Sequence, residues 1–256
     1  MQQRQQNRRL YFLELAQTSR KHFIPYIEDY KRISGAKVLE IGCGDGGNLL
    51  PFSEMGCSTT GVDIDNGRIK DATLFFEEQQ AKGNFIASDI FQLEGMEHTF
   101  DLIICHDVIE HIEDKTAFLS KLRSFLQTDG LMFISFPAWQ MPFGGHQQIC
   151  RSRVISHLPF IHLLPNIVYK TLLKWGGENE RCISELLFIK KTRMPIELFE
   201  QLLRKEQVTI IDRTLFFINP HYETKFGLKP RKLFALIKAI PYLRNFCTTS
   251  CFYLLK

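Results

Sequence analysis

The run Val38-Leu39-Glu40-Ile41-Gly42-Cys43-Gly44-Asp45-Gly46-Gly47-Asn48 limits what this chain can fold into more than any other stretch. A short apolar run, Val38 to Ile41, ends in a glycine-rich turn, and an apolar, helix-compatible segment follows (Leu49, Leu50, Phe52, Met55). The pattern predicts a strand, a tight turn and a helix N-terminus, the arrangement that brings a nucleotide against bare backbone. Glycine is required there because a Cβ would block both a positive-φ turn and the approach of a ligand. The acids are the unusual part. Glu40 and Asp45 flank the turn, and a loop bracketed by carboxylates is a poor cradle for a pyrophosphate.

Two cofactor classes compete for this loop. Gly42-x-Gly44-x-x-Gly47 satisfies the dinucleotide fingerprint, and an acid follows roughly 20 positions on, as that fingerprint requires. The same residues read as Glu40-x-Gly42-x-Gly44-x-Gly46, which resembles the first motif of class I S-adenosylmethionine-dependent methyltransferases. That cofactor has no phosphate and carries an amino group and a sulfonium, so an acidic loop suits it better. Ser58-Thr59-Thr60-Gly61-Val62-Asp63-Ile64-Asp65 predicts a second strand ending in carboxylates. Asp63, at that strand end, is the candidate for both ribose hydroxyls, a role that fits either cofactor.

Further segments extend the resemblance. Asn84 to Ala87 predicts a third strand leading to Ser88-Asp89-Ile90. Phe100-Asp101-Leu102-Ile103-Ile104-Cys105-His106 predicts a fourth, followed by Asp107-Val108-Ile109-Glu110-His111-Ile112. The latter run resembles the fourth strand and following turn of small-molecule methyltransferases. A helix over Lys115 to Leu126, a Thr128-Asp129-Gly130 turn and a fifth strand over Leu131 to Phe136 continue the pattern.

The resemblance implies an α/β fold: a Rossmann-like, seven-stranded, mostly parallel sheet with an antiparallel last strand and helices on both faces. It implies S-adenosyl-L-methionine as cofactor, held by Glu40, Gly42, Cys43, Gly44, Asp63 and Ile64, with Asp89 and Ile90 at the adenine. His106 and Asp107 would line the methyl end. Asp89 has a second reading as a helix N-cap, a position that favours Asp.

The remaining organisation follows from periodicity. The expected arrangement is one methyltransferase domain: a helical cap over 1–35, a cofactor core over 36–136, a substrate-side insertion over 137–194, and a C-terminal part over 195–256 with a second insertion at 219–245. Tyr11 to Tyr30 has helical apolar spacing, with a break expected near Pro25, and should lie over the mouth of the cofactor site. Pro195 to Lys205 predicts a helix, and Val208 to Ile218, excepting Asp212 and Arg213, a sixth strand. The tail Phe246 to Leu255 is rich in strand formers. Only the resemblance places it antiparallel beside the fifth strand. Insertions after strand carboxyl ends overhang the ligand crevice of an open α/β sheet and should carry substrate specificity. Segments of this length should contain helices.

Charge divides the chain more than composition does. Residues 1–136 hold 14 Lys and Arg against 20 Asp and Glu, net −6, whereas residues 137–256 hold 18 against 8, net +10. The basic half fits a solvated surface or a face for an anionic substrate or membrane. Seven cysteines without clustered metal spacing fit reduced thiols in a cytoplasmic protein. Met1 to Arg9 lacks the apolar core of a signal peptide. Ile155 to Trp175 is interrupted by prolines, lysines and histidines, which excludes a span. It fits either packing of the insertion or peripheral contact with an anionic inner membrane face.

Two histidines are placed for chemistry. His146 lies in the Pro/Gly-rich loop Phe136-Pro137-Ala138-Trp139-Gln140-Met141-Pro142-Phe143-Gly144-Gly145-His146, which should cross the substrate side. A neutral imidazole there can accept a hydroxyl proton, and a loop histidine bonded to backbone is the alternative. His111 follows Glu110 beyond the fourth strand, either as catalyst or bonding backbone. Asp107, Glu110 and His111 also resemble an acid, acid-His set that binds a divalent ion in ubiquinone-biosynthesis O-methyltransferases. Here the first acid is Asp, with a shorter reach, and no metal ligand is assigned. Asn219-Pro220-His221-Tyr222 resembles the Asn-Pro-Pro-Tyr motif of nucleic-acid amino methyltransferases but follows the sixth strand instead of the fourth. No nucleic-acid partner is therefore expected. The expected reaction is O-methylation of a small-molecule, glycan or lipid-linked acceptor. The rivals are a quinone-type metal-assisted O-methyltransferase, a nicotinamide oxidoreductase and a non-catalytic cofactor-binding module.

Overall fold

The computed structural model describes residues 7–256. The Gln/Arg-rich start therefore lies for the most part outside the described residues. In chain order the elements are α1 (Arg8–Thr18), α2 (Ile24–Glu28), β1 (Lys37–Ile41), α3 (Leu50–Glu54), β2 (Ser58–Asp63), α4 (Asn66–Glu78), β3 (Asn84–Ala87), β4 (Phe100–His106), α5 (Lys115–Phe125) and β5 (Leu126–Phe136). There follow α6 (Arg153–His157), α7 (Asn166–Trp175), α8 (Glu180–Thr192), α9 (Ile196–Lys205), β6 (Ile210–Ile218), α10 (His221–Phe226), β7 (Arg231–Lys232), α11 (Ala235–Lys238), α12 (Leu243–Phe246) and β8 (Ser250–Leu255).

The strands form one sheet in the order β3-β2-β1-β4-β5-β8-β6-β7. The first five pair in parallel, and β8 inserts antiparallel between β5 and β6. Successive side chains of a strand point to opposite faces, and here both faces are covered. Leu39, Ile41, Ile103, Cys105, Met132 and Ile134 pack on one side with Phe118, Leu122 and Phe125 of α5 and Phe199 of α9. Val38, Leu102, Ile104 and Phe133 pack on the other with Phe12, Ile27, Phe52, Phe75 and Phe76. This is why the central strands read as unbroken apolar runs.

The strand reversal between β1 and β4 opens a crevice at their carboxyl ends, where an open α/β sheet binds ligands. α1 closes one side of it. A Cβ on Gly47 would stand 2.5 Å from the Phe12 carbonyl oxygen and 2.8 Å from Leu15 Cβ, so helix and glycine loop are in backbone contact.

Five details depart from the sequence reading. The sheet has eight strands because Arg231–Lys232 pairs with the outer edge of β6. Two charged, exposed residues carry no strand signature, although charges are common on edges. β5 starts at Leu126, ahead of the Thr128-Asp129-Gly130 turn, and the register against β4 shifts there. β6 runs through Asp212 and Arg213, whose charges are answered by the Tyr26 hydroxyl, donating to Asp212 at 2.7 Å, and by Glu200, paired with Arg213. β8 begins at Ser250, because Leu243–Phe246 closes a helical turn instead. Arg244 in that turn is buried and bridges Glu197 and Glu200 of α9, each at 2.9 Å. Finally, the helical run from α1 to α2 passes through a wide turn at Ser19–Phe23 and continues across Pro25. Proline lacks an N–H and collides with the carbonyl four residues earlier, so the widening precedes it.

Gly47→Ala is expected to force α1 off the loop and to destabilise the fold by roughly 1–3 kcal/mol, the usual range for overpacking. Chemical denaturation of the variant checks this, and an unchanged midpoint would mean that α1 is not seated there.

Candidate functional site

The glycine loop leaves β1 with positive φ at Gly42 (71°), Gly44 (53°) and Gly46 (81°). A Cβ on Gly42 would lie 2.2 Å from Val108 Cγ2, so the turn after β4 fills the space the glycine leaves. The loop hangs from β2 by the Gly42 and Cys43 amides, which donate to the Val62 carbonyl at 2.8 and 3.0 Å. Cys43 is buried inside it, and burial raises its thiol far above the ordinary range.

Acids surround this bare backbone. Glu40 is 1% exposed; its Oε1 accepts from Asn48 Nδ2 at 2.7 Å, and its Oε2 has no partner. Burial pushes its carboxyl up to about 8, the bond from Asn48 opposes this and the Asp63 charge adds to it. Asp63, half-buried at the end of β2, accepts from the Gly44 amide at 2.8 Å and the Asp65 amide at 2.9 Å. Ile64 beside it is 77% exposed, an unusual position for a large apolar side chain. Asp89 caps the turn Ile90–Gln92 through a 3.0 Å bond from the Phe91 amide, while Ile90 is buried. The cap reading of Asp89 is thus realised through Oδ1. Arg68, which the sequence reading passed over, reaches across Gly44 from α4.

The carboxyl end of β4 supplies the opposite wall. His106 Nδ1 is 2.6 Å from Ser135 Oγ, its Nε2 is 3.6 Å from Asp107 Oδ2, and Phe23 packs edge-on against the ring. Asp107 sits at φ 55°, a left-handed conformation that Asp tolerates better than most residues with a Cβ. Its side chain opens into a cavity of about 200 Å³ shared with Tyr11, Met141, Phe143, His146 and Tyr222.

Three residues of the two loops converge. Glu110 Oε1 lies 3.9 Å from His146 Nε2 and 4.0 Å from His111 Nε2, and the histidine rings meet edge to face at 5.1 Å. Glu110 is buried with neither oxygen hydrogen-bonded. Burial, then the Asp107 charge, raises it well above the carboxylate range, while Lys115 pulls the other way. Lys115 itself is lowered by burial to about 8 and ties Ile112 to Thr192 through their carbonyls, both at 2.5 Å. His146 also adopts a left-handed φ of 58°, and burial lowers it to about 3, with His111 and His162 adding. His111 is lowered too, chiefly by burial.

The metal-type set that converges is therefore Glu110, His111 and His146, their ligand atoms within 4.8 Å of one another, without Asp107. A buried carboxylate with both oxygens orphaned, facing two imidazoles, fits a divalent first-row cation. The pairing of Glu110 with a residue 36 positions away has no local sequence signal. Asn219 and Tyr222 also line the cavity, because the carboxyl end of β6 abuts the same crevice. The Asn-Pro-His-Tyr run was the one available hint of them.

The bare turn fits S-adenosylmethionine better than a dinucleotide: three acids, Glu40, Asp45 and Asp63, flank it, and an unpartnered carboxylate oxygen lies beneath. Comparison with known proteins agrees. A family model described as a methyltransferase domain matches residues 6–164. The ubiquinone biosynthesis O-methyltransferase of Rickettsia typhi is 31% identical over 171 residues, 67% of this chain and 59% of that protein. Its counterpart in Rickettsia conorii is 26% identical over 185 residues, 71% of this chain and 55% of that one. The chain thus spans somewhat more than half the length of these curated relatives. Among solved structures, the plantazolicin methyltransferase BpumL bound to a pentazolic desmethylPZN analog and SAH covers 99% of this chain and 88% of its own, at TM-score 0.58 and 16% identity. Magnesium protoporphyrin IX methyltransferase from Synechocystis PCC 6803 with bound SAH covers 94% and 82%, at 0.54 and 18%. At those identities the likeness is one of fold. Sheet order, acid-lined glycine turn and family match together make this chain a member of the class I S-adenosylmethionine-dependent methyltransferases.

Proposed function

We propose that the chain is a methyltransferase that O-methylates a small-molecule, glycan or lipid-linked acceptor, with His146 as the base. The observation that carries the proposal is the position of His146 in the cavity beside Asp107, next to the buried Glu110. S-adenosylmethionine, when bound, supplies a methyl group on a positively charged sulfur. Gly42, Cys43 and Gly44 would give it bare backbone, Glu40 a buried carboxyl for its amino group, and Asp63 the ribose contacts. Ile64, Asp89 and Ile90 would frame the adenine, and His106 and Asp107 the methyl end. The exposure of Ile64 supports its part, since a flat ring would cover it.

The proton chemistry belongs to the chain's own residues. His146 is neutral at physiological pH and can take a proton from an acceptor hydroxyl. Glu110 Oε1, 3.9 Å from Nε2, stands beside the imidazolium that results. His111 packs against the ring and restricts its orientation.

The cavity continues into a wider one of about 610 Å³, which shares Met141, Phe143 and Tyr222 and is rimmed by Arg151, Arg153 and His157. That supports an acceptor with an apolar body and an anionic group. No helix among the described residues is long and apolar enough to cross a membrane. Peripheral contact with an anionic bilayer is supported by Ile167 and Trp175 of α7, 83% and 86% exposed. The charge asymmetry supports it as well.

The convergence of Glu110, His111 and His146 favours a second reading, a divalent-metal-assisted O-methyltransferase of the quinone type. The relatives' names point the same way. Those three residues would hold the ion, which when bound would supply positive charge beside an acceptor oxygen.

His146→Ala is expected to lower turnover by roughly 10²–10⁴-fold, the range for loss of a general base, with S-adenosylhomocysteine affinity unchanged. Transfer of labelled methyl to a panel of phenolic, glycan and lipid-linked hydroxyl acceptors checks this. A fully active variant would remove the base assignment, and activity lost to EDTA and restored by magnesium would select the second reading.

Glu40→Gln separates binding from stability. Because the Glu40 carboxyl is raised in the fold, the folded protein holds a proton there that the unfolded chain releases, so stability falls as pH rises from about 4.5 toward about 8. Glutamine has no such dependence. The cofactor-free variant is expected to melt higher than the wild type by a margin that widens over that interval, while losing cofactor affinity. Thermal melts at pH 5, 7 and 8.5 test it, and a constant margin would mean that Glu40 is not buried as a proton-holding acid.

A further inference from the structure

The insertion between β5 and α9 has a small core of its own, built around Ile155, Ile161, Tyr169, Leu173, Ile183 and Leu186. Three ligand-type groups meet at its edge. Cys150 Sγ, Cys182 Sγ and a Glu178 carboxylate oxygen all lie within 4.8 Å of one another. They come from three places: the loop after His146, the turn between α7 and α8, and the first turn of α8. Cys150 and Glu178 are buried and Cys182 half-buried. The carboxylate is already oriented, because Oε1 accepts from the Ser152 amide at 2.9 Å and Oε2 from the Arg151 amide at 3.1 Å. Each oxygen keeps a second lone pair. In the same core the Tyr169 hydroxyl is buried with no hydrogen-bond partner.

We propose that Cys150, Glu178 and Cys182 bind a thiophilic divalent cation of the zinc class, distinct from the Glu110, His111 and His146 set. Two thiolates and a carboxylate form three corners of a tetrahedral site. Glu178 and Cys182 also line a cavity of about 550 Å³ with Asp45, Arg8, Arg68, Arg151 and Arg181, and water from it can supply the fourth ligand. Binding displaces the two thiol protons. The consequence is mechanical. Cys150 is four residues beyond His146, so the ion would staple the His146 loop to α8 and stiffen a small insertion core.

Cobalt is the probe. The reduced full-length protein, freed of metal and kept in a phosphine reductant without oxygen, is titrated with Co²⁺ and then Zn²⁺. The expected result is sulfur-to-cobalt charge-transfer absorption in the near ultraviolet with tetrahedral bands in the red. These should saturate at one ion per chain, be erased by Zn²⁺ and fall by half in Cys182→Ser. The Glu110, His111 and His146 set has no sulfur and cannot give that absorption. On the wild type, Zn²⁺ should also slow alkylation of Cys150 and Cys182 by iodoacetamide, read by peptide mass spectrometry, so the proposal does not depend on a variant that folds. Absence of the sulfur band at excess Co²⁺, a band unchanged in Cys182→Ser, or alkylation indifferent to Zn²⁺ would overturn the site. Neither acceptor nor S-adenosylmethionine enters the assay, so its outcome is independent of the methyl-transfer reading.

Discussion

The contact on which the crevice depends is that of Gly42 with Val108. The turn after β1 and the turn after β4 interlock there, one lending its missing Cβ to the other's side chain. This contact sets the distance between the two halves of the crevice. On one side stand Glu40, Asp63 and the amide-bearing loop. On the other stand His106, Asp107 and the turn that carries Glu110 and His111. Any side chain at position 42 would separate them, and the acid-lined cradle would no longer face the cavity of His146.

Around that contact the charges are arranged against their ordinary preferences. Glu40 and Glu110 are buried with unpartnered oxygens and their carboxyls are raised by burial, while burial lowers His146 and keeps its imidazole neutral. Each is destabilising in the cofactor-free fold. Such groups persist where binding or reaction makes use of them. The same logic extends to the cysteine–glutamate cluster of the insertion, where a bound cation would balance the thiolates and the carboxylate. Stability comes instead from the two apolar layers on the sheet, which hold these groups in place.

Much of this was legible in the sequence, for identifiable reasons. β1, β4 and β5 carry apolar residues on both faces, so their runs stand out, and the Gly42–Gly47 turn has few conformations open to it. The antiparallel placement of β8 was legible only through resemblance, since nothing in Phe246 to Leu255 names its neighbours. Strand continuity was lost where charge interrupts it, as at Asp212 and Arg213, whose partners Tyr26 and Glu200 lie elsewhere in the chain. The wide turn at Ser19–Phe23 shows the same limit in a helix: Pro25 was visible, but the strain it causes is relieved upstream. The convergence of His146 on Glu110, and of Cys150 on Glu178 and Cys182, depends on how the insertion folds back over the crevice. No spacing rule anticipates a meeting made by three separate segments.

The central claim is that the acid-lined glycine turn holds S-adenosylmethionine and not a dinucleotide. Calorimetric titration of the purified protein with S-adenosylhomocysteine and, in parallel, with NAD tests it, with Asp63→Ala as control. The account predicts saturable binding of S-adenosylhomocysteine that the substitution abolishes, and no heat from NAD. Binding of NAD alone, or S-adenosylhomocysteine binding indifferent to Asp63, would contradict it.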